Sequence, residues 1–360
     1  MRNRKTPIFI ATALLLSMVA LAQTKGKAHL NPMVDLLQAG KPVFGIYAPS
    51  ARNLPNAPAP APRGGGARGN APLTAAPTQE DPCGDATKMA KNPPAVPTMS
   101  AAEIKQQTEI AKLTLAHPMD YLFSGDFEDT DVKVPLQRWT EYLKGMQAVG
   151  GANRLKYPLM LKANKAGCDL SAVVVNVSTE LNMGAVGIMF PHTASAKELT
   201  AALAAMRFKS KGGTRPDNVG MAPAYWGLSE KDYKDKADLS ALNPNGELIS
   251  FAVVEDKDGL ANRREIAQVK GLSVLWPGAG TLRNVFYKKE ANGNFVPDTA
   301  AWEAAIQSVV DACKEFKVAC GFPANNVQDM ELRRKQGFSV FVSSWGDAAF
   351  SVVETGRKTQ

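Results

Sequence analysis

Cysteine is scarce in this chain. Cys83, Cys168, Cys313 and Cys320 are the only four in 360 residues, and none lies in a CxxC pair. That spacing argues against a zinc knuckle and against a disulfide-dense scaffold. One or two bridges, or buried free thiols, both remain open. Basic runs interleaved with aromatics are also missing. The formal charge of +8 falls to +5 once Arg2, Arg4 and Lys5 are set aside. Nothing here is the electrostatic footprint of a nucleic-acid partner, and none is expected. Beyond residue 22 no stretch reaches the roughly 20 apolar residues of a spanning helix. No GxGxxG follows the first strand-like run, which counts against a dinucleotide site.

The first residues read as an address. Three basic residues precede an apolar run over residues 7–21, and Ala20-Leu21-Ala22 offers small residues for cleavage. That is the pattern of a secretory leader over residues 1–22. The expected product is exported, periplasmic or secreted, with no membrane association after cleavage. Residues 23–360 are expected to form one domain. Within it, residues 49–100 turn rich in Pro, Ala and Gly ("NLPNAPAPAPRGGGARGNAPLTAAPTQEDPCG") and lose any apolar period. Such a segment reads as a flexible insertion.

Elsewhere short apolar runs alternate with helix-like segments. The runs are "VFGIYA", "DYLF", "YPLML", "AVGIMF", "ISFAVVE", "LSVLW", "VACGF" and "FSVFVSS". Between most of them lie amphipathic stretches such as "PLQRWTEYLKGMQAVG" and "DTAAWEAAIQSVVDACKEF". One of these opens on a capping box, Ser195-Ala-Lys-Glu198,. Continuous hydrophobic runs suit strands buried on both faces of a parallel sheet. Eight of them predict an α/β fold, a (β/α)8 TIM-type barrel. In a barrel the chemistry sits at the C-terminal strand ends. Tyr47, Asp126, Glu128, Asp129, Lys162, His192, Glu255 and the "WPGAGT" loop all fall there.

Several blocks, in order, resemble the 4-hydroxy-2-oxoheptanedioate aldolase and citrate lyase family. They are "NPMVDLLQAGKPVFGIY", "MDYLFSGDFED", "LNMGAVGIMFPHTASAKELTAALAAMRFKSKGGTR" and "SFAVVEDKDGLANRREIAQVKGLSVLWPGAG". The likeness spans about residues 31–347, the insertion excepted. It implies a barrel of the pyruvate-aldolase/citrate-lyase kind, homo-oligomers that often exchange a last helix, and carbon–carbon bond chemistry on a small 2-oxo acid or hydroxy-oxo acid. It also implies a divalent ion, Mg²⁺ or Mn²⁺, to stabilise the enolate. By position, Glu255 matches the family's metal-binding glutamate, while its loop aspartate falls on Gly280. The family's base histidine falls on Asp129, its arginine on Leu161 or Lys162, its tryptophan on Tyr47 and its glutamine on Val253.

Each position carries a sharp reading and a plainer one. Asp126 and Glu128 alternate along extended chain and are expected to join Glu255 around the metal. The plainer reading is that three acids merely favour the positive end of the helix behind them. Glu255, at a buried strand end, needs a metal or an ion pair, for instance with Lys162. His192 is expected to move a proton, or else is an ordinary loop residue. Gly278, Ala279 and Gly280 are expected to hold a substrate carboxylate with backbone N–H groups, or simply to form a tight turn. Asp129, His192 and Lys162 are the expected catalytic residues, and Tyr47 lines the substrate. Cys83 and Cys168 follow strands one and three, so a bridge between them is expected. The activity expected is an exported, metal-dependent carbon–carbon lyase. The alternative is a non-catalytic barrel binding a small carboxylate or a protein partner.

Overall fold

The structure, a computed structural model, describes residues 28–55, 73–75, 77, 83, 96, 98–128 and 130–360. The leader and most of the insertion, together with Asp129, lie outside these residues.

All eight expected strands are present. They are Val43–Tyr47 (β1), Tyr121–Ser124 (β2), Leu159–Lys162 (β3), Gly187–Phe190 (β4), Ile249–Val254 (β5) and Val274–Pro277 (β6), then Ala319–Pro323 (β9) and Val340–Ser343 (β10). Tyr287–Lys289 (β7) and Phe295–Pro297 (β8) form a separate antiparallel hairpin between β6 and β9. The eight strands close a parallel barrel, β1 pairing with both β2 and β10. Five of the eight are buried at every residue, which is why they read as unbroken apolar runs,.

The barrel interior is filled by large side chains facing strand glycines. A Cβ added to Gly45 would lie 2.2 Å from the Tyr121 ring, one on Gly187 2.2 Å from Met160, and one on Gly321 1.9 Å from Trp276. Tyr121 is fully buried and its hydroxyl donates to the Phe341 carbonyl at 2.9 Å. Phe251 stacks on Trp276 and meets Tyr121 edge-on. Large against small lets neighbouring strands interdigitate in a packed interior.

The outer helices include Ala101–Leu115, Lys133–Gly150, Leu170–Met183, Ala196–Met206, Thr299–Phe316, Val327–Gln336 and Asp347–Arg357. Three of them, Ala101–Leu115, Leu170–Met183 and Asp347–Arg357, were not singled out in the sequence. Ala101–Leu115 opens on a capping box, with Ser100 N–H donating to Glu103 at 2.8 Å. Leu170–Met183 is rich in valine, and its burial on the barrel outweighs the low helix propensity of that residue,. The helix-like stretch "GLANRREIAQVKG" falls on two short helices, Lys257–Ala261 and Arg263–Ala267, separated at Asn262. The last helix returns onto its own barrel. Gly356 packs on Phe44, and Gln360 donates to Pro42 O and to Asp120. All four cysteines are bridged, Cys83 to Cys168 as expected and Cys313 to Cys320 in addition. The alternative of buried free thiols does not hold.

Glu180, in the Leu170–Met183 helix, is fully buried, and neither carboxylate oxygen has a hydrogen-bond partner. Burial alone pushes its pKa up to about 8. The folded state therefore holds a proton that the unfolded chain releases near pH 4.5, so stability is highest below that value and falls as pH rises towards 8,. Glu180→Met removes this loss. The variant should be more stable than the parent by on the order of 2–3 kcal/mol at neutral pH, and by much less in acid. Urea denaturation at two pH values measures the difference.

Candidate active site

The strand ends bring five of the expected residues to one mouth of the barrel. Lys162 is the last residue of β3, Glu255 follows β5, His192 lies two residues past β4, and Glu128 sits in the loop after β2. Tyr47 ends β1 at the rim, 41% exposed, its ring edge-on to Phe123 at 5.0 Å. The Lys162 ammonium lies between two carboxylates, 2.5 Å from Glu128 Oε1 and 4.0 Å from Glu255 Oε1. Burial opposes its charge, but Glu255 and Glu128 outweigh burial and raise its pKa,. At neutral pH it is a fixed cation.

Glu255 is only 4% exposed and is held from several sides. The His192 backbone N–H donates to its Oε1 at 2.9 Å. Gly278 faces it so closely that an added Cβ would stand 2.6 Å from Oε2. His192 adopts φ +45°, a conformation that costs a non-glycine residue of order 1 kcal/mol or more,. That backbone turn is what aims its N–H at Glu255. The imidazole lies between two acids, Nε2 3.7 Å from Glu255 Oε1 and Nδ1 3.6 Å from Asp256 Oδ2. Burial lowers its basicity, but the nearby carboxylates of Asp256 and Glu255 prevail and raise its pKa.

A proton on His192 thus favours the fold. This stabilisation is complete below the ordinary histidine pKa and disappears as pH rises through the elevated one,. His192→Gln should destabilise the protein more at about pH 5 than at about pH 9. Denaturation midpoints at the two values check the sign; an equal loss at both would mean that the imidazolium is not the favoured form.

The three-carboxylate metal cluster expected around Glu255 does not assemble. Asp126 turns away to accept from Trp139 Nε1 at 3.0 Å and to pair with Arg138. It lines a neighbouring cavity of about 530 Å³ with Tyr47, Asn53, Arg138, Trp139 and Trp345. Glu128 and Glu255 face Lys162, so the ion-pair reading of Glu255 is the one realised. Among the described residues no group of three His, Cys, Asp or Glu side chains is placed to hold an ion. At Gly280, the position of the expected loop aspartate, an added Cβ would meet nothing within 4 Å. Among the described residues, this arrangement does not fit a divalent ion. The "WPGAGT" segment passes from β6 into a short helix, Ala279–Leu282; Gly278 N–H donates to Val254 O at 2.8 Å, and Ala279 O accepts from Trp302 at 2.9 Å. Asp129 lies outside the described residues.

The site also contains residues that the sequence did not single out. Asp256 pairs with His192 and with Lys165 at 3.9 Å, and its Oδ1 caps Gly259 N–H at 2.7 Å. Burial raises the Asp256 pKa, but His192, Gly259 and Lys165 together hold it below the ordinary value. Two consecutive acids closing "FAVVED" were the available signal. Glu198 N–H donates to the expected cap Ser195 at 3.2 Å, yet the Glu198 carboxylate reaches back to Ala194 N and Gly167 N instead of closing the box. Gly167 adjoins Cys168, so the Cys83 bridge is fastened beside the site.

The same fold is found in solved structures. A HpcH/HpaI aldolase/citrate lyase family protein from Burkholderia cenocepacia J2315 superposes with a TM-score of 0.55 at 16% identity, over 91% of this chain and 97% of that one. The HpcH/HpaI aldolase from Desulfitobacterium hafniense DCB-2 gives 0.55 at 14% identity, over 90% and 93%. The citrate synthase SbnG gives 0.51 at 14% identity, over 88% and 91%. A search of curated protein sequences finds no match. The sequence profile of the HpcH/HpaI aldolase/citrate lyase family matches residues 164–350, from the loop after β3 into the last helix. With more than half its length inside that profile and its strands closed into the corresponding barrel, the chain belongs to the HpcH/HpaI aldolase/citrate lyase family of carbon–carbon lyases.

Proposed function

We propose that the protein is an exported carbon–carbon lyase that forms and protonates the enolate of a small 2-oxo acid such as pyruvate. The observation that carries this reading is the Lys162 ammonium, held between Glu128 and Glu255 at the barrel mouth with His192 beside them. A 2-oxo acid brings a carboxylate and an oxo group that becomes an enolate oxygen in the reaction. A fixed cation whose surroundings are already organised favours that developing charge. In the cleavage direction, a base takes the proton of the substrate hydroxyl and the carbon–carbon bond breaks. The bonding pair passes into the enolate, and an aldehyde or ketone leaves. Protonation at carbon then gives the oxo acid. His192, in its neutral form as base and its charged form as acid, stands where this proton is exchanged. The cavity sharing Tyr47 offers room for the second fragment. The divalent ion implied by the family resemblance takes no part in these steps.

Incubation with pyruvate in D₂O tests the chemistry without knowledge of the aldehyde. The methyl signal should disappear at a rate proportional to enzyme. No exchange above buffer, with pyruvate shown to bind, would replace this reading with the non-catalytic carboxylate-binding barrel.

Export rests on the leader-like residues 1–22 and on two disulfides, which persist in oxidising compartments,. Mass analysis of the mature N-terminus should place it at Gln23. A retained Met1 in a cytoplasmic fraction would count against it.

A further inference from the structure

We propose that Lys162 is a built-in counter-ion occupying the place of a divalent cation between Glu128 and Glu255, so that this site engages its oxo acid without a metal. The proposal deepens the lyase reading and rests on it only for the identity of the substrate. Four observations carry it. The ammonium stands 2.5 Å from one carboxylate and 4.0 Å from the other, on a stem rooted in β3. Glu255 is 4% exposed, its Oε1 accepting from the His192 N–H and its side chain packed closely against Gly278. A buried carboxylate so fixed requires a positive partner. The third acid, Asp126, is engaged by Arg138 and Trp139 rather than facing Glu255. Finally, Gly280 offers no side-chain oxygen from the loop after β6.

An ammonium differs from a metal in what it can do. It offers three N–H donors and a single charge, and it does not chelate. His192, with Nε2 3.7 Å from Glu255, supplies a second positive charge when protonated. Among the described residues these two cations, with Lys165 beside Asp256, match the charge of Glu128, Glu255 and Asp256 without any bound ion. A 2-oxo acid would then be held by charge-assisted hydrogen bonds to Lys162.

Mn²⁺ titration of chelator-treated, intact mature protein tests this directly, read by the electron paramagnetic resonance of free Mn²⁺. The parent should show no saturable site below about 1 mM, the range of weak oxygen-ligand sites. Lys162→Met and Lys162→Ala, each checked for fold by circular dichroism, should vacate the slot and acquire one site at least about 100-fold tighter than any parental binding. Adding Glu255→Gln to either should abolish it. Pyruvate should bind the parent equally well with and without chelator. One tight Mn²⁺ site in the parent, lost in Glu255→Gln, would overturn the proposal. So would two folded Lys162 variants that both fail to gain a site. Pyruvate trapped on Lys162 by borohydride would overturn it as well, since the amine would then act as a nucleophile. The titration reads the cation slot whether or not pyruvate is a substrate, so its failure and failure of the exchange experiment are distinguishable.

Discussion

Lys162→Met lowers the rate of methyl-proton exchange on pyruvate by about 10²–10³-fold, the usual cost of deleting one organised donor at a developing oxyanion. The methionine stem fills the same channel from β3, so the loss reports the charge rather than the packing. Stability falls as well. Glu255, 4% exposed, loses one of the cations beside it, and removing one partner of a buried pair typically costs several kcal/mol,. Glu128 is 22% exposed at its side chain and can hydrate, which keeps the expected loss at about 3 kcal/mol,. Lys162→Arg should recover much of the stability and little of the rate, because the planar guanidinium cannot reproduce the compact ammonium position. Nuclear magnetic resonance of the methyl signal and urea denaturation measure the two losses separately. An unchanged exchange rate in folded Lys162→Met would remove the ammonium from the chemistry.

The second large effect belongs to the Cys83–Cys168 bridge. It closes a loop with a sequence separation of 85, against 7 for Cys313–Cys320. The chain-entropy argument gives about 4–5 kcal/mol for the long loop and about 2–3 kcal/mol for the short one. Cys83→Ser with Cys168→Ser should therefore destabilise the protein more than Cys313→Ser with Cys320→Ser. Chemical denaturation under non-reducing conditions should show this order, and added reductant should lower the parent to the level of the variant lacking both bridges. Cys168 directly follows Gly167, whose N–H donates to Glu198. Loss of the long bridge should accordingly also disturb pyruvate exchange, whereas loss of the short one should not. Equal effects on exchange would mean that fastening the insertion has no bearing on the site.

The barrel was legible because its signal is local and redundant. Strands buried on both faces must be apolar throughout, so "YPLML" and "ISFAVVE" announce β3 and β5 without any partner in view,. Some overlooked elements had signals equally local. The Ser100–Glu103 box opens a helix, and Asn292-Gly293 turns the hairpin between β7 and β8, with Gly293 at φ +86°,. The bridge between Cys83 and Cys168 followed from topology, since both residues come after strands that must end on the same face.

By itself, then, the sequence determined the eight strands, the face on which chemistry gathers and the family to which the blocks conform. Only tertiary structure decided how the charges divide. Glu128, Lys162 and Glu255 come from three different strand ends, and a carboxylate at a strand end reads alike whether a metal or a lysine faces it. Electrostatic partners are chosen through space, within about 4 Å. Asp126 and Glu128 are two residues apart, yet one goes to Arg138 and Trp139 and the other to Lys162. The φ +45° turn of His192 and the closeness of Gly278 to Glu255 depend on how loops after β4, β5 and β6 meet. No spacing along the chain encodes that meeting, because it arises only when the barrel closes.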